Sequence, residues 1–430
     1  MKLRRIYFYI LILCAFFNQY NAVAGPGKLR RMIRKSSILK SQHTGFALYN
    51  IGDKKWLKGY QDDKYFQPAS NTKLYTFYGG LCILKDSVPA LKYIIRNDSL
   101  IFWGTGDPSL LNRAYKTEEV FNFLKSTKQK LFFADGQYTG KKFGPGWAWD
   151  DYNDDYQSEI NEFPLYGNGV WFNAGTDGRI SMVPDMFSLI KTNKKGPFEI
   201  RRDVDQNVFF YPRDTTGYKQ FVPFETDEAE IACLLQDTLK RAVGFLHEPI
   251  PQNVKAINSL PADSLYKYML HVSDNFTAEQ LHLVYAARLG IEMNTAQTIA
   301  YIIKNYLPDL PDKPSWVDGS GLSRYNLFTP RDNVKLLEKI YEKVNDQSRL
   351  FALLPNGGKS GTLKNYFKSE IPYVFAKTGS FSNNYNLAGY LVSKRGKIYA
   401  FSFMNNNFTL PSNQIRQEVE RILSYLHTHG

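Results

Sequence analysis

Three groups of residues in this chain have the types and spacing for acyl transfer. They are Ser70 with Lys73, Ser273 with Asn275, and Lys377 with Thr378 and Gly379, in that order. A serine hydroxyl is a weak nucleophile until a neighbouring group takes its proton. Lys73 can do so when neutral, and both burial and a nearby cation, here Lys377, push a lysine toward that form. Ser273 can pass the proton to a leaving amine, while Asn275 can hold Lys73 and a substrate amide. Lys377, with the hydroxyls of Thr378 and Ser380, can grip a substrate carboxylate. The backbone N–H groups of Ser70, at a helix start, and of Ser380 can meet an oxyanion.

Each motif alone is weak. Ser-x-x-Lys occurs four times, at Ser37/Lys40, Ser70/Lys73, Ser188/Lys191 and Ser264/Lys267, and Lys359-Ser360-Gly361 imitates the third motif. The surrounding elements separate the copies. Pro68-Ala69-Ser70 reads as a helix start, followed by Leu74, Phe77, Tyr78 and Cys82 at helical spacing. Ser70 and Lys73 then lie one turn apart on one face. Ser273 and Asn275 fall between two helical patterns, with Thr277 and Gln280 read as a capping box for the second. Tyr373 to Ala376 is a strand run leading into Lys377, and the apolar runs Leu387–Val392 and Ile398–Met404 complete an antiparallel meander.

The ordered triplet resembles that of penicillin-binding proteins and class A β-lactamases. Trp316-Val317-Asp318-Gly319-Ser320-Gly321-Leu322-Ser323-Arg324-Tyr325-Asn326 narrows the resemblance. It is similar to a block of the D-alanyl-D-alanine carboxypeptidase/endopeptidase family, the class C low-molecular-mass penicillin-binding proteins. Gly104-Thr105-Gly106-Asp107-Pro108, Gly144-Pro145-Gly146-Trp147-Ala148-Trp149-Asp150-Asp151 and Gly361-Thr362-Leu363 resemble further segments of that family. The resemblance runs from about Phe46 to the C-terminal helix and is silent between Asn173 and Val254. It departs after the third motif, where Ser380-Phe381 stands in place of Thr-Leu. The resemblance implies that Asp151 binds the basic amino group of a wall-peptide side chain. The alternative is a solvated acidic loop, because Asp150, Asp154 and Asp155 cluster with it.

Lys73 and Ser273 are 200 residues apart, so an insertion must lie between the first two motifs. The expected organisation is a catalytic domain over 25–94 and 255–430, interrupted by an inserted region over 95–254. Gly45–Tyr49, a partner near Trp56–Tyr60 and the meander would share one antiparallel sheet. Ile415, Val419, Ile422, Leu423 and Leu426 form one stripe of a terminal helix that packs on it. The fold class is α+β, a sheet flanked by helices, as the family also implies.

Lys2, Arg4 and Arg5, the apolar run Ile6–Phe17 and Ala22-Val23-Ala24 read as a secretory signal over 1–24, hence export to the periplasm. That run is twelve residues long, short of the ~20 needed to span a bilayer, and no membrane anchor is expected. Removing the signal lowers the formal charge from +13 to +10, ordinary solubility charge with a secondary pull toward acidic wall material. The basic residues are scattered, which argues against nucleic acid. No metal site or cofactor is expected, and His271, two residues before Ser273, reads as a half-buried helix histidine.

The resemblance implies a serine carboxypeptidase and endopeptidase acting on peptidoglycan peptides through acyl-Ser70 and acylated by β-lactams. A serine β-lactamase is the second reading, and a non-catalytic envelope-binding protein is the third. Between Asn275 and Asp318 no acid sits in a Glu-x-x-x-Asn pattern, which disfavours the second. Retention of all five reactive side chains disfavours the third.

Overall fold

The computed structural model describes residues 26–193, 199–212 and 217–430, so the signal reading at 1–24 lies outside the described residues. The sheet that carries the third motif has five antiparallel strands. Their order is Val374–Phe381, Asn384–Val392, Ile398–Asn406, His43–Asn50 and Lys55–Tyr60. The central strands are buried on both faces, which demands helices on both sides. Helices Pro26–Lys35 and Ser412–His429 cover one face, burying Leu29, Ile33, Ile415, Val419 and Ile422. Helices Lys73–Ile83 and Pro330–Val344 lie on the other side, with Tyr75, Phe77, Leu336 and Leu337 in one hydrophobic core with Phe375 and Tyr390 of the sheet. The expected α+β architecture, including the terminal helix and its stripe, is the one observed.

The helix Lys73–Ile83 is buried almost all round, from Lys73 through Gly80. Its two glycines permit this. A Cβ on Gly79 would crowd Ile302, and one on Gly80 would overlap the Tyr266 ring.

A second five-stranded sheet runs Val243–His247, Lys130–Asp135, Ser99–Gly104, Ser87–Arg96 and Lys255–Pro261. Its last two strands are antiparallel neighbours, with Tyr93 opposite Lys255 and Ser87 opposite Pro261. The two strands that flank the expected divisions at 94 and 255 thus pair with each other, and the chain leaves and returns side by side. An apolar run announces a strand, but only its hydrogen-bond partner says which sheet it joins.

Candidate active site

Ser70 sits in a single 3₁₀ turn, Ala69–Thr72, that runs straight into the helix Lys73–Ile83. The turn is held in place from two sides. Asn71 Nδ2 donates to the Lys377 carbonyl (2.7 Å), tying it to the third-motif strand. Ala69 is left-handed at φ +47°, and its carbonyl accepts from Thr72 Oγ1 at 2.9 Å. Gly321, at φ +83°, packs so closely on that carbonyl that any Cβ would overlap the oxygen.

Lys73 is fully buried, and its Nζ lies 3.0 Å from Ser70 Oγ, 2.7 Å from Asn275 Oδ1 and 2.7 Å from the Ser320 carbonyl. A neutral amine has two N–H bonds and one lone pair. Asn275 and Ser320 take the two N–H bonds, which turns the lone pair toward the serine hydroxyl. Burial pulls Lys73 down to about 8, against the opposing charges of Asp274, Glu279 and Asp318. Burial is thus the main cause. Lys377 is pushed well below its usual range by burial and then by the Lys73 charge, a repulsion that the two lysines share.

Lys377 is also fully buried and donates to Ser273 Oγ and to the Thr378 carbonyl, both at 2.8 Å. Ser273 closes helix Ala262–Val272 in the left-handed conformation (φ 66°), and Asn275 is the first residue of helix Asn275–Leu289. The cap of that second helix is Asp274, which accepts from the Thr277 N–H at 2.6 Å, and not the Thr277/Gln280 box read from sequence. Thr277 Oγ1 bonds Tyr115 instead, and Gln280 Nε2 donates to the Gly106 and Asn161 carbonyls. The three motifs meet, and Lys73 and Lys377 link them.

A cavity of about 450 Å³ opens over Ser70, lined among others by Asn275, Ser380, Asp151, Tyr156 and Arg324. Asp151 therefore lies on the cleft wall, with its carboxyl raised chiefly by burial. The second motif is braced from the inserted region, since Asn275 Nδ2 donates to the Tyr156 carbonyl at 3.0 Å. Thr378 Oγ1 bonds Thr362 Oγ1 at 2.8 Å, so its hydroxyl is already oriented. A Cβ on Gly379 would overlap the Pro68 carbonyl and press on the Ser70 nitrogen, so only glycine lets the strand approach the nucleophile turn. His271 reaches the Ala352 carbonyl (3.3 Å) rather than Ser273.

Sequence reasoning missed Glu279 and the reason Ser320 matters. Glu279 is buried and accepts the backbone N–H groups of Gly319 (2.9 Å) and Ser320 (2.7 Å). Asp318 holds the other end of the loop, accepting from Gly321 N, Ser323 N, Asn326 Nδ2 and Trp147 Nε1. Together they fix the Ser320 carbonyl that grips Lys73. Burial, then the Asp318 charge, raises Glu279 above the usual carboxylate range. The available signal was a lone carboxylate in a helix otherwise buried from Phe276 to Ala287, which needs donors from somewhere.

The D-Ala-D-Ala carboxypeptidase 3 (S13) family matches residues 27–184 and 212–426. The chain is 23% identical over 423 residues to the D-alanyl-D-alanine carboxypeptidase DacB of Haemophilus influenzae, covering 86% of each. Its fold resembles the crystal structure of penicillin-binding protein 4 from the same organism, with TM-score 0.75, 19% identity, and coverage of 94% of this chain and 99% of that one. It also resembles the penicillin G-acylated predatory endopeptidase Bd3459 of Bdellovibrio bacteriovorus, with TM-score 0.52, 14% identity, and coverage of 89% and 93%.

Proposed function

Because this chain belongs to the D-Ala-D-Ala carboxypeptidase 3 (S13) family, we propose that it hydrolyses peptidoglycan stem peptides and their cross-links through an acyl-Ser70 intermediate. The observation that carries the reading is a buried Lys73 amine 3.0 Å from Ser70 Oγ, with its other donors occupied. Ser70 gives its proton to Lys73 as Oγ attacks the penultimate D-alanine carbonyl carbon. The N–H groups of Ser70 and Ser380 receive the developing oxyanion. Ser273, bonded to Lys377, delivers its proton to the leaving amine as the C–N bond breaks and is reprotonated with the proton that Lys73 took from Ser70, which returns Lys73 to its neutral form. Lys377, Thr378 and Ser380 hold the substrate carboxylate, while Gly379 lets their strand lie against the nucleophile. Water then hydrolyses the ester by the reverse proton path. Asp151, on the cleft wall, meets the side-chain amine of the stem peptide.

A β-lactam follows the same first half, but its amine stays tethered and the acyl-enzyme persists. Rapid β-lactam hydrolysis would need a carboxylate to activate water at the ester. Glu279 is instead engaged by two backbone N–H groups, which supports the peptidase over the lactamase. Among the described residues no helix is long and apolar enough to cross a membrane. Wall peptides lie outside the cytoplasm, so the reading places the enzyme in the periplasm.

The direct test is intact mass after incubation with benzylpenicillin, beside Ser70→Ala. One stable adduct on the wild type and none on the variant is the expected pair. No adduct and no penicillin hydrolysis by folded wild type would refute the reading. The acylation rate should also depend on pH in one direction. Lys73 is the base only when neutral, so below its pKa of about 8 the rate climbs as pH rises, then levels above it. Stopped-flow acylation from pH 6 to 10 measures this, and a flat profile would remove Lys73 from the role of base.

A further inference from the structure

Behind the wall formed by residues 155–156 and 274–275 lies a second, smaller cavity of about 130 Å³. Asp155 and Asp274 face it, while their neighbours Tyr156 and Asn275 face the catalytic cleft. The remaining walls are largely aromatic. Trp171 and Phe221 are cross-strand partners with ring centroids 5.2 Å apart, Tyr166, Tyr268 and Phe276 line it too, and Asn112 and Gly167 fill the remainder. Arg113 stacks over the Trp171 ring at 5.6 Å but is not among the lining residues.

Ser158 is only 3% exposed and lines this cavity, yet its Oγ has no hydrogen-bond partner among the described residues. A hydroxyl sealed from bulk water without a partner is costly unless something enters to meet it. Tyr268 also faces the cavity, its hydroxyl raised to about 12 by burial and then by the charges of Asp274 and Asp155. Partial burial, then Asp154 and Asp274, likewise raises Asp155. The lining therefore offers two carboxylates and three hydroxyls, that of Tyr166 already bonded to Thr238 Oγ1 at 2.8 Å, with aromatic faces and no lysine or arginine.

An acceptor-rich aromatic box suits a ligand that carries several N–H donors and a positive charge. We infer that this cavity is a subsite for a primary alkylammonium group, separate from the one at Asp151. The –NH₃⁺ donates to Asp155, Asp274 and Ser158 Oγ, and its alkyl stem lies against Trp171 and Phe221. The volume admits an amine tip rather than a sugar ring or a whole peptide. No group of three His, Cys, Asp or Glu side chains among the described residues could hold a metal ion, which favours the ammonium over a divalent cation. The carrier of the amine, a second stem peptide at a cross-link, rests on the peptidase reading. The binding itself does not, because penicillin labelling of Ser70 is a separate measurement.

The test is calorimetric titration of the full-length protein with n-butylammonium chloride, in an Asp151→Asn background that silences the cleft carboxylate. Saturable one-site binding is expected, with 1-butanol at least about tenfold weaker. Adding Asp155→Asn weakens the amine by about tenfold or more. Asp155 is exposed, so this change does not threaten folding. Ser158→Ala, a second and milder variant, weakens it by a few fold. Equal binding of butanol, indifference to Asp155→Asn, displacement by equimolar magnesium chloride, or no binding at all would each overturn the subsite.

Discussion

Lys73→Met slows benzylpenicillin acylation of Ser70 by about 10²- to 10⁴-fold, the range a positioned general base commonly supplies. Methionine keeps the volume of the side chain and removes the lone pair that faces Ser70 Oγ. Asn275 Oδ1 and the Ser320 carbonyl lose their donor, at about 1–3 kcal/mol each. Against this, the variant no longer buries a lysine whose charge burial disfavours. Activity should therefore collapse while the fold survives. The linkage has a definite sign. The folded pKa of about 8 lies below the ordinary lysine value of 10.5, so the unfolded chain binds more protons between those limits. Wild-type stability accordingly rises with pH across that window, and the variant loses that rise. Stopped-flow acylation and chemical melts at pH 7 and pH 10 measure both. Acylation within tenfold of wild type would exclude Lys73 as the base.

Gly321→Ala is the second large effect, and it acts without touching a reactive atom. The new methyl meets the Ala69 carbonyl oxygen head-on and comes within 2.7 Å of Thr72 Oγ1, at a backbone φ of +83° that L residues avoid. Either the loop at 318–321 or the turn at 69–72 must give way. The first movement takes the Ser320 carbonyl from Lys73, and the second takes Ser70 from its place. We expect a loss of about 3–5 kcal/mol in stability and at least about 10²-fold in acylation. Thermal melts and acylation kinetics test this together. A variant that melts and acylates like wild type would show that the two segments are not mutually wedged.

The readable parts of the sequence were those whose signal is local. The meander around Lys377 and the stripe from Ile415 to Leu426 follow from periodicity within a dozen residues and stand where expected, while the helix expected to start at Pro68–Ser70 opens as a 3₁₀ turn and becomes α-helical at Lys73. Partner choice was readable for the sheet of the meander and not for the strand after the Lys73 helix. Ser87–Arg96 has the same apolar character whichever sheet receives it, and only its pairing with Lys255–Pro261 decides. Asp274 and Thr277 are both competent caps. The left-handed Ser273, which ends one helix so abruptly that the next must begin at once, settles the choice. Glu279 is a similar case, because its donors lie forty residues away in a loop whose N–H groups are invisible as letters.

The helix that begins at Lys73 has almost no face that can rest in water, and this bears on the order in which the protein matures. Its packing partners Tyr266, Tyr285, Ile302 and Phe328 are all encoded later. About 245 residues separate Ile83 from Phe328, which at about 5–20 residues per second is tens of seconds of synthesis. Throughout that interval the nucleophile segment is a sticky, unshielded stretch with nothing to dock on. Whatever holds the nascent chain soluble must cover Leu74 to Ile83 first and release it last, so the site is assembled only when the chain is nearly complete.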